Sequence, residues 1–170
     1  MMRASQFLIL EFNVKKSTLA LFVGATLALA SLLVCDATKS DLSKYSKTAV
    51  PVYNSYSDKF GAKIGEAGNA NSPEEFAAKN KEIVALMDEF RTKMAEIKPE
   101  TKEVQDLHQN CVTNLTNMED AYKKLGDAII NNDQAAAQAA KSKIEDAVKA
   151  DEKYRADLKA LEDQHHVQVQ

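Results

Sequence analysis

The sequence has no tryptophan, three prolines, five glycines and only 6% aromatic residues. So few turn formers and ring side chains exclude a chain of many short strands and point to long helices. Two cysteines, Cys35 and Cys111, are too few for a disulfide framework, and they sit in settings different enough for unrelated roles. No stretch is strongly basic, and the formal charge is −3. Without residues 1–35, which carry Arg3, Lys15, Lys16 and Glu11, 19 basic and 24 acidic residues remain, a net of −5. A mildly acidic, evenly mixed surface excludes a nucleic-acid binder, which would carry a basic stripe. There is no Cys-x-x-Cys-His run for covalent haem and no Glu-x-x-His pair for a di-iron bundle. No strand leads into the glycines to make a phosphate loop, and no Ser-His-Asp or nucleophile-turn context is visible. No cofactor, metal site or catalytic residue is therefore expected, and the chain is read as a non-enzyme.

What the sequence does have is apolar residues at helical spacing. Val104, Leu107, Cys111, Leu115, Met118, Tyr122, Leu125 and Ile129 follow one another at steps of three and four, which keeps one stripe on one side of a helix. The intervening Gln, Asn, Thr, Asp, Glu and Lys make the other side wet. A lone amphipath of this length does not hold in water, so the stripe must be covered. Matching stripes flank it. One runs Phe76, Asn80, Ile83, Met87, Phe90, Met94, Ile97; another runs Ala137, Ala140, Ile144, Ala147, Asp151, Tyr154, Leu158, Leu161, His165. Ser72-Pro73-Glu74-Glu75 predicts a helix start, with Ser72 as cap, Pro73 in the first turn and Glu75 closing a capping box. Lys98-Pro99 stops that helix and Pro99-Glu100 opens the next. Asn131-Asn132-Asp133 separates the last two. Ahead of these, Leu42, Tyr45, Ala49, Val52, Tyr56 and Phe60 form a further stripe. Pro51 interrupts it, predicting a kink near Thr48 or a start near Pro51. Gly65 or Gly68 then caps its end. Short connections make neighbours antiparallel. The expected fold is all-α, an antiparallel up-down bundle of three to four helices after an N-terminal signal sequence.

That signal is read from Lys15 and Lys16, the apolar run Thr18 to Val34, and the abrupt polar turn at Cys35-Asp36. A basic n-region, an apolar h-region and a cleavage zone make a bacterial secretory signal. The run is slightly short for a membrane span of ~20 residues. Residues 1–13 carry an extra apolar patch, which raises Val14 as the true start. Leu32-Leu33-Val34-Cys35 resembles the lipobox of bacterial lipoproteins, with Val34 departing from the usual Gly, Ala or Ser. The resemblance covers residues 15–36. It implies that the Cys35 thiol carries diacylglycerol, that the signal is cut just before Cys35, and that the protein is held on a membrane facing the periplasm. Asp36 resembles the residue that retains such proteins in the inner membrane. The alternatives are an ordinary signal cut after Ala30 or Ala37, which gives a soluble periplasmic protein, and an uncleaved anchor. The expected domains are an export signal at 1–34, a lipid-anchored tether at 35–48, with Thr38 to Lys47 either a spacer or the opening of a helix, and a helical bundle at 49–170.

Several residues break the pattern. Asn80 and Asp151 occupy stripe positions, and counting from the two turns puts both near Leu115 and Met118. They make a candidate buried polar pair, with a small polar pocket or a register-setting hydrogen bond as its use. A buried carboxylate must be paired, protonated or at the bundle edge. Tyr45, Tyr53 and Tyr56 offer either an aromatic ligand surface or ordinary packing with hydroxyls at the solvent edge. Cys111 reads as a small hydrophobe. His108 lies three residues before it, too little for a metal site. His165-His166 falls at a frayed C-terminus. The general build resembles short helical envelope lipoproteins. The expected function is a non-enzymatic interaction or scaffold module with a membrane and an envelope protein as partners. The alternative is a periplasmic bundle that binds a small ligand or metal.

Overall fold

The structure is a computed structural model that describes residues 34–167. The export signal expected over 1–34 lies outside the described residues except for Val34, and so do Val14, Lys15 and Lys16. Within 34–167 the fold is all-α: α1 Val34–Gly68, α2 Pro73–Ala95, α3 Lys102–Ile130 and α4 Gln134–Gln164. The loops between them are short, so each helix reverses on the last, giving an up-down four-helix bundle. Helix α3 is flanked by α2 and α4, and α1 lies along α2 and reaches α3.

The α3 stripe faces inward as its spacing requires. Val104, Leu107, Cys111, Leu115, Met118, Tyr122 and Leu125 are buried, and Ile129 is partly so. From α2 come Ile83, Met87, Phe90 and Met94, and from α4 come Ala137, Ala140, Ile144, Ala147, Tyr154 and Leu158. Small residues at the start of α4 let it lie close on α3.

The starts and stops are local chemistry. Ser72 Oγ accepts the Glu75 amide at 3.1 Å. The Glu75 carboxylate reaches back to the Asn71 amide at 2.8 Å, one residue before the position a capping box uses. Asp133 caps α4 through the Ala136 amide at 2.9 Å. At the end of α3, Asn132 takes a left-handed φ of 52°, a conformation Asn tolerates well. Helix α1 does end at Gly68, but no glycine among the described residues has positive φ, so its end does not need glycine's freedom.

Two expectations need correction. The stretch 35–48 is helix, not a spacer: α1 includes it, and Thr38, Asp41, Leu42, Tyr45 and Ser46 are buried. The sequence signal was available, since Thr38, Leu42, Tyr45 and Ala49 step by four, three and four; the surrounding Ser and Lys hid it. Pro51 also does not start the helix, because α1 runs through it. An interior proline disfavours a helix by about 3 kcal/mol. Tyr45 and Ala49 before it and Tyr53 and Tyr56 after it are all buried, and their packing on both sides outweighs that penalty.

Candidate functional site

The most concentrated chemistry lies in the seam between α1 and α4, floored by α3. Tyr45 OH is 3.0 Å from Tyr154 OH and 3.4 Å from His108 Nδ1. A consistent proton order has Tyr154 donating to Tyr45 and Tyr45 donating to an unprotonated Nδ1. Further along the seam, Tyr53 OH donates to Asp151, and Arg155 closes on the same carboxylate at 3.1 Å. Ser46 Oγ donates to Glu162 at 2.7 Å. The rings pack as well: Tyr53 meets Tyr154 tilted at 5.7 Å, and Tyr56 stacks on Phe90 at 5.0 Å. The tyrosines are therefore core residues, but the Tyr45 and Tyr53 hydroxyls are not at the solvent edge. They carry the polar link between α1 and α4.

Burial holds the phenols and the thiol of this cluster neutral. It raises the Tyr45, Tyr53 and Tyr154 phenols above their ordinary range. Burial, with the nearby Asp151 charge, pushes the Cys111 thiol up to about 12. Burial and the Lys98 charge lower His108, which favours bare imidazole. A thiol held protonated is a poor nucleophile, and phenols so raised do not supply protons at neutral pH. The seam combines protonated phenols and a bare imidazole with the Asp151–Arg155 ion pair, and these groups satisfy one another. Among the described residues no group of three or more His, Cys, Asp or Glu is placed to hold a metal ion.

Asn80 and Asp151 do not form a pair. Asn80 Nδ2 donates to the Tyr122 carbonyl at 2.7 Å, against Gly126. Asn114 Nδ2 donates to the Ala147 carbonyl at 2.9 Å, which sets the α3–α4 register. One further turn of α4 then brings Asp151 level with Cys111, roughly 20 Å down α3 from Asn80's neighbours. Counting inward from the turns failed because it assumed equal stagger in both hairpins. Asn80 is deeply buried, and its Oδ1 has no partner. Asp151 is both paired and at the edge, with a fifth of its side chain exposed.

Three other residues matter: Asp41 and Asn114, which the sequence did not single out, and His165, which was expected to fray. Asp41 on α1 is buried, and its Oδ2 accepts from the Glu100 amide at 2.9 Å, the Thr101 amide at 2.7 Å and the Thr101 hydroxyl at 2.8 Å. It caps α3 from another helix, since Thr101 gives α3 no side-chain cap of its own. That partnership spans the fold and leaves no local trace in the sequence. Asn114 ties α3 to α4 as described. His165 is buried rather than frayed, with Nε2 3.2 Å from Glu103 Oε2. Cys35 and Asp36 fall in the first turn of α1.

A groove of about 400 Å³ opens beside Asp41, lined by Lys44, Tyr45, Val52, Lys93, Ile97 and Pro99 among others. Two of its lysines are occupied by neighbouring carboxylates, Lys44 with Glu100 and Lys93 with Glu96, both at 3.2 Å. No helix among the described residues is long and apolar enough to cross a membrane. No protein-family model matches the chain, and neither a curated protein nor a solved structure does.

Proposed function

We propose that this chain is a bacterial envelope lipoprotein, anchored through Cys35, whose helical body serves as a non-enzymatic interaction or scaffold module facing the periplasm. Asp36 would act in sorting between membranes. One observation carries the reading. The lipobox-like Leu32-Leu33-Val34-Cys35 runs into the start of α1, and among the residues whose burial is described Thr38 is the first buried one after it, at 3% exposure. A cut before Cys35 would leave every described buried residue of the bundle in place. The stable hold needs more than one acyl chain, since a single chain gives only marginal membrane binding.

The ligand-binding alternative draws on two arrangements that the fold does not bring together. Asn80 and Asp151 lie on separate levels, and His108 faces phenols that burial keeps protonated. The scaffold reading needs only an external surface and a stable body, and so it is preferred.

The test is metabolic labelling with tagged palmitate in a bacterial host. The intact protein is expected to take up label and Cys35→Ala to lose it. An unlabelled, secreted product would overturn the anchor. For the scaffold role, crosslinking in intact cells is expected to trap one recurrent envelope protein. A melting temperature raised by a metal or a periplasmic extract would instead favour the ligand-binding role, because binding to the folded state stabilises it.

A further inference from the structure

We infer that the end of the bundle carrying Asp41, the α2–α3 turn and His165 is a membrane-apposed base, whose partner is the lipid surface itself. The inference rests on acylation of Cys35. It follows from how little chain is free beyond that residue. Thr38 is already buried, so only Asp36 and Ala37, three Cα steps, separate Cys35 from packed structure. Even fully extended they span only about 10 Å. One turn on, Asp41 is fixed by its three hydrogen bonds to Glu100 and Thr101, so the start of α1 is tied to the start of α3. The C-terminal turn of α4 is tied to the same end through His165 and Glu103. Both ties lie at one end of the bundle. The opposite end, with the loops Asn69–Ser72 and Asn131–Asp133, is about 40 Å away along α1. An acylated chain therefore stands on this base, and the far loops are the part free to meet a protein. The charges at the base are mixed, with Lys98 and Lys102 beside Glu100 and Glu103. Apposition is imposed by the short connection and not by attraction to anionic lipid.

The test uses the full chain, processed in cells and reconstituted into vesicles that contain lipids with a quenching headgroup. A fluorophore is placed on Lys102→Cys at the base or on Ala135→Cys at the far end; both positions are exposed, and native Cys111 is buried. The base label is expected to lose most of its emission and the far label to keep nearly all of it, equally in zwitterionic and anionic vesicles. Inserting about ten Gly and Ser residues between Asp36 and Ala37, a coil spanning roughly 15–20 Å, is expected to relieve much of the quenching. Palmitate uptake is measured on the same samples. Uptake with equal quenching at both labels, or with no relief by the insertion, would overturn the membrane-facing base while leaving the anchor standing. Absence of uptake would overturn the anchor and the base together.

Discussion

Gly126→Ala is expected to change sign according to what stands at position 80. Gly126 is a helix-interior glycine, and replacing one by alanine normally stabilises a helix by about 0.8–1 kcal/mol. Here the added Cβ would lie 2.5 Å from Asn80 Nδ2 and 3.5 Å from its Cγ. Asn80 must then swing away and give up its hydrogen bond to the Tyr122 carbonyl. Its Oδ1 already lacks a partner, so the amide would be left unsatisfied at both ends in a buried site. Stranding such a group costs about 1–3 kcal/mol. The net expectation is a loss of up to roughly 2 kcal/mol in the native background. With Asn80→Ala already present the clash disappears, and Gly126→Ala is expected to stabilise by up to about 1 kcal/mol. Urea unfolding of the four proteins, followed by far-ultraviolet circular dichroism, gives the coupling directly. Stabilisation by Gly126→Ala in both backgrounds, or additive effects, would refute the close approach of Asn80 to α3.

Asp41→Ala should remove the cap that α1 supplies to α3, lowering stability by about 1–3 kcal/mol and exposing the Glu100 and Thr101 amides to faster hydrogen exchange. Tyr53→Phe should leave Asp151 with Arg155 alone and lose about 1.5–3 kcal/mol, the usual range for a hydrogen bond to a charged group, as read from the urea midpoint. The folded pKa of His108 lies below its unfolded value of about 6.5, so the unfolded chain takes up the proton first. Stability is therefore full above pH 6.5, falls as pH drops below it toward the folded pKa, and is flat beneath that; His108→Gln should flatten the fall in melting temperature. Cys111, buried and with its thiol raised to about 12, should resist alkylation in the native protein and react only as it unfolds, measured in a Cys35→Ala background.

Much of this fold was legible in the sequence, and the reason is visible in α3. Its stripe is long, its polar side is consistently polar, and no Pro interrupts it, so one period governs the whole helix. The same holds for α2 and α4, whose caps Ser72 and Asp133 are local chemistry within a few residues. Helix α1 was harder. Its wet face is full of Ser and Lys, Pro51 falls inside it, and its inward face uses Thr38 and Ser46 where the other helices use Leu or Met. The polar seam was only half legible. Tyr45, Tyr53 and Tyr154 could be assigned to faces, but their hydroxyl partners depend on the stagger between α1 and α4, which no local pattern encodes. The cap from Asp41 to α3 spans 60 residues of chain and was invisible for the same reason.

The early start of α1 bears on which signal cleavage the protein tolerates. A cut before Cys35 leaves the buried part of α1 intact and spares its first turn from Cys35 onward. A cut after Ala30 would instead leave four further residues, Ser31 to Val34, three of them apolar, ahead of Cys35. A cut after Ala37 would make Thr38 the new terminus. Thr38 is 3% exposed, and its new ammonium group would carry a charge at the edge of the core, one turn from Asp41. That cut would strain the tie between α1 and α3 which closes this end of the bundle. Of the three cuts, the one before Cys35 would keep every described buried residue of α1, would take only Val34 from that helix, and would leave a cysteine at its head.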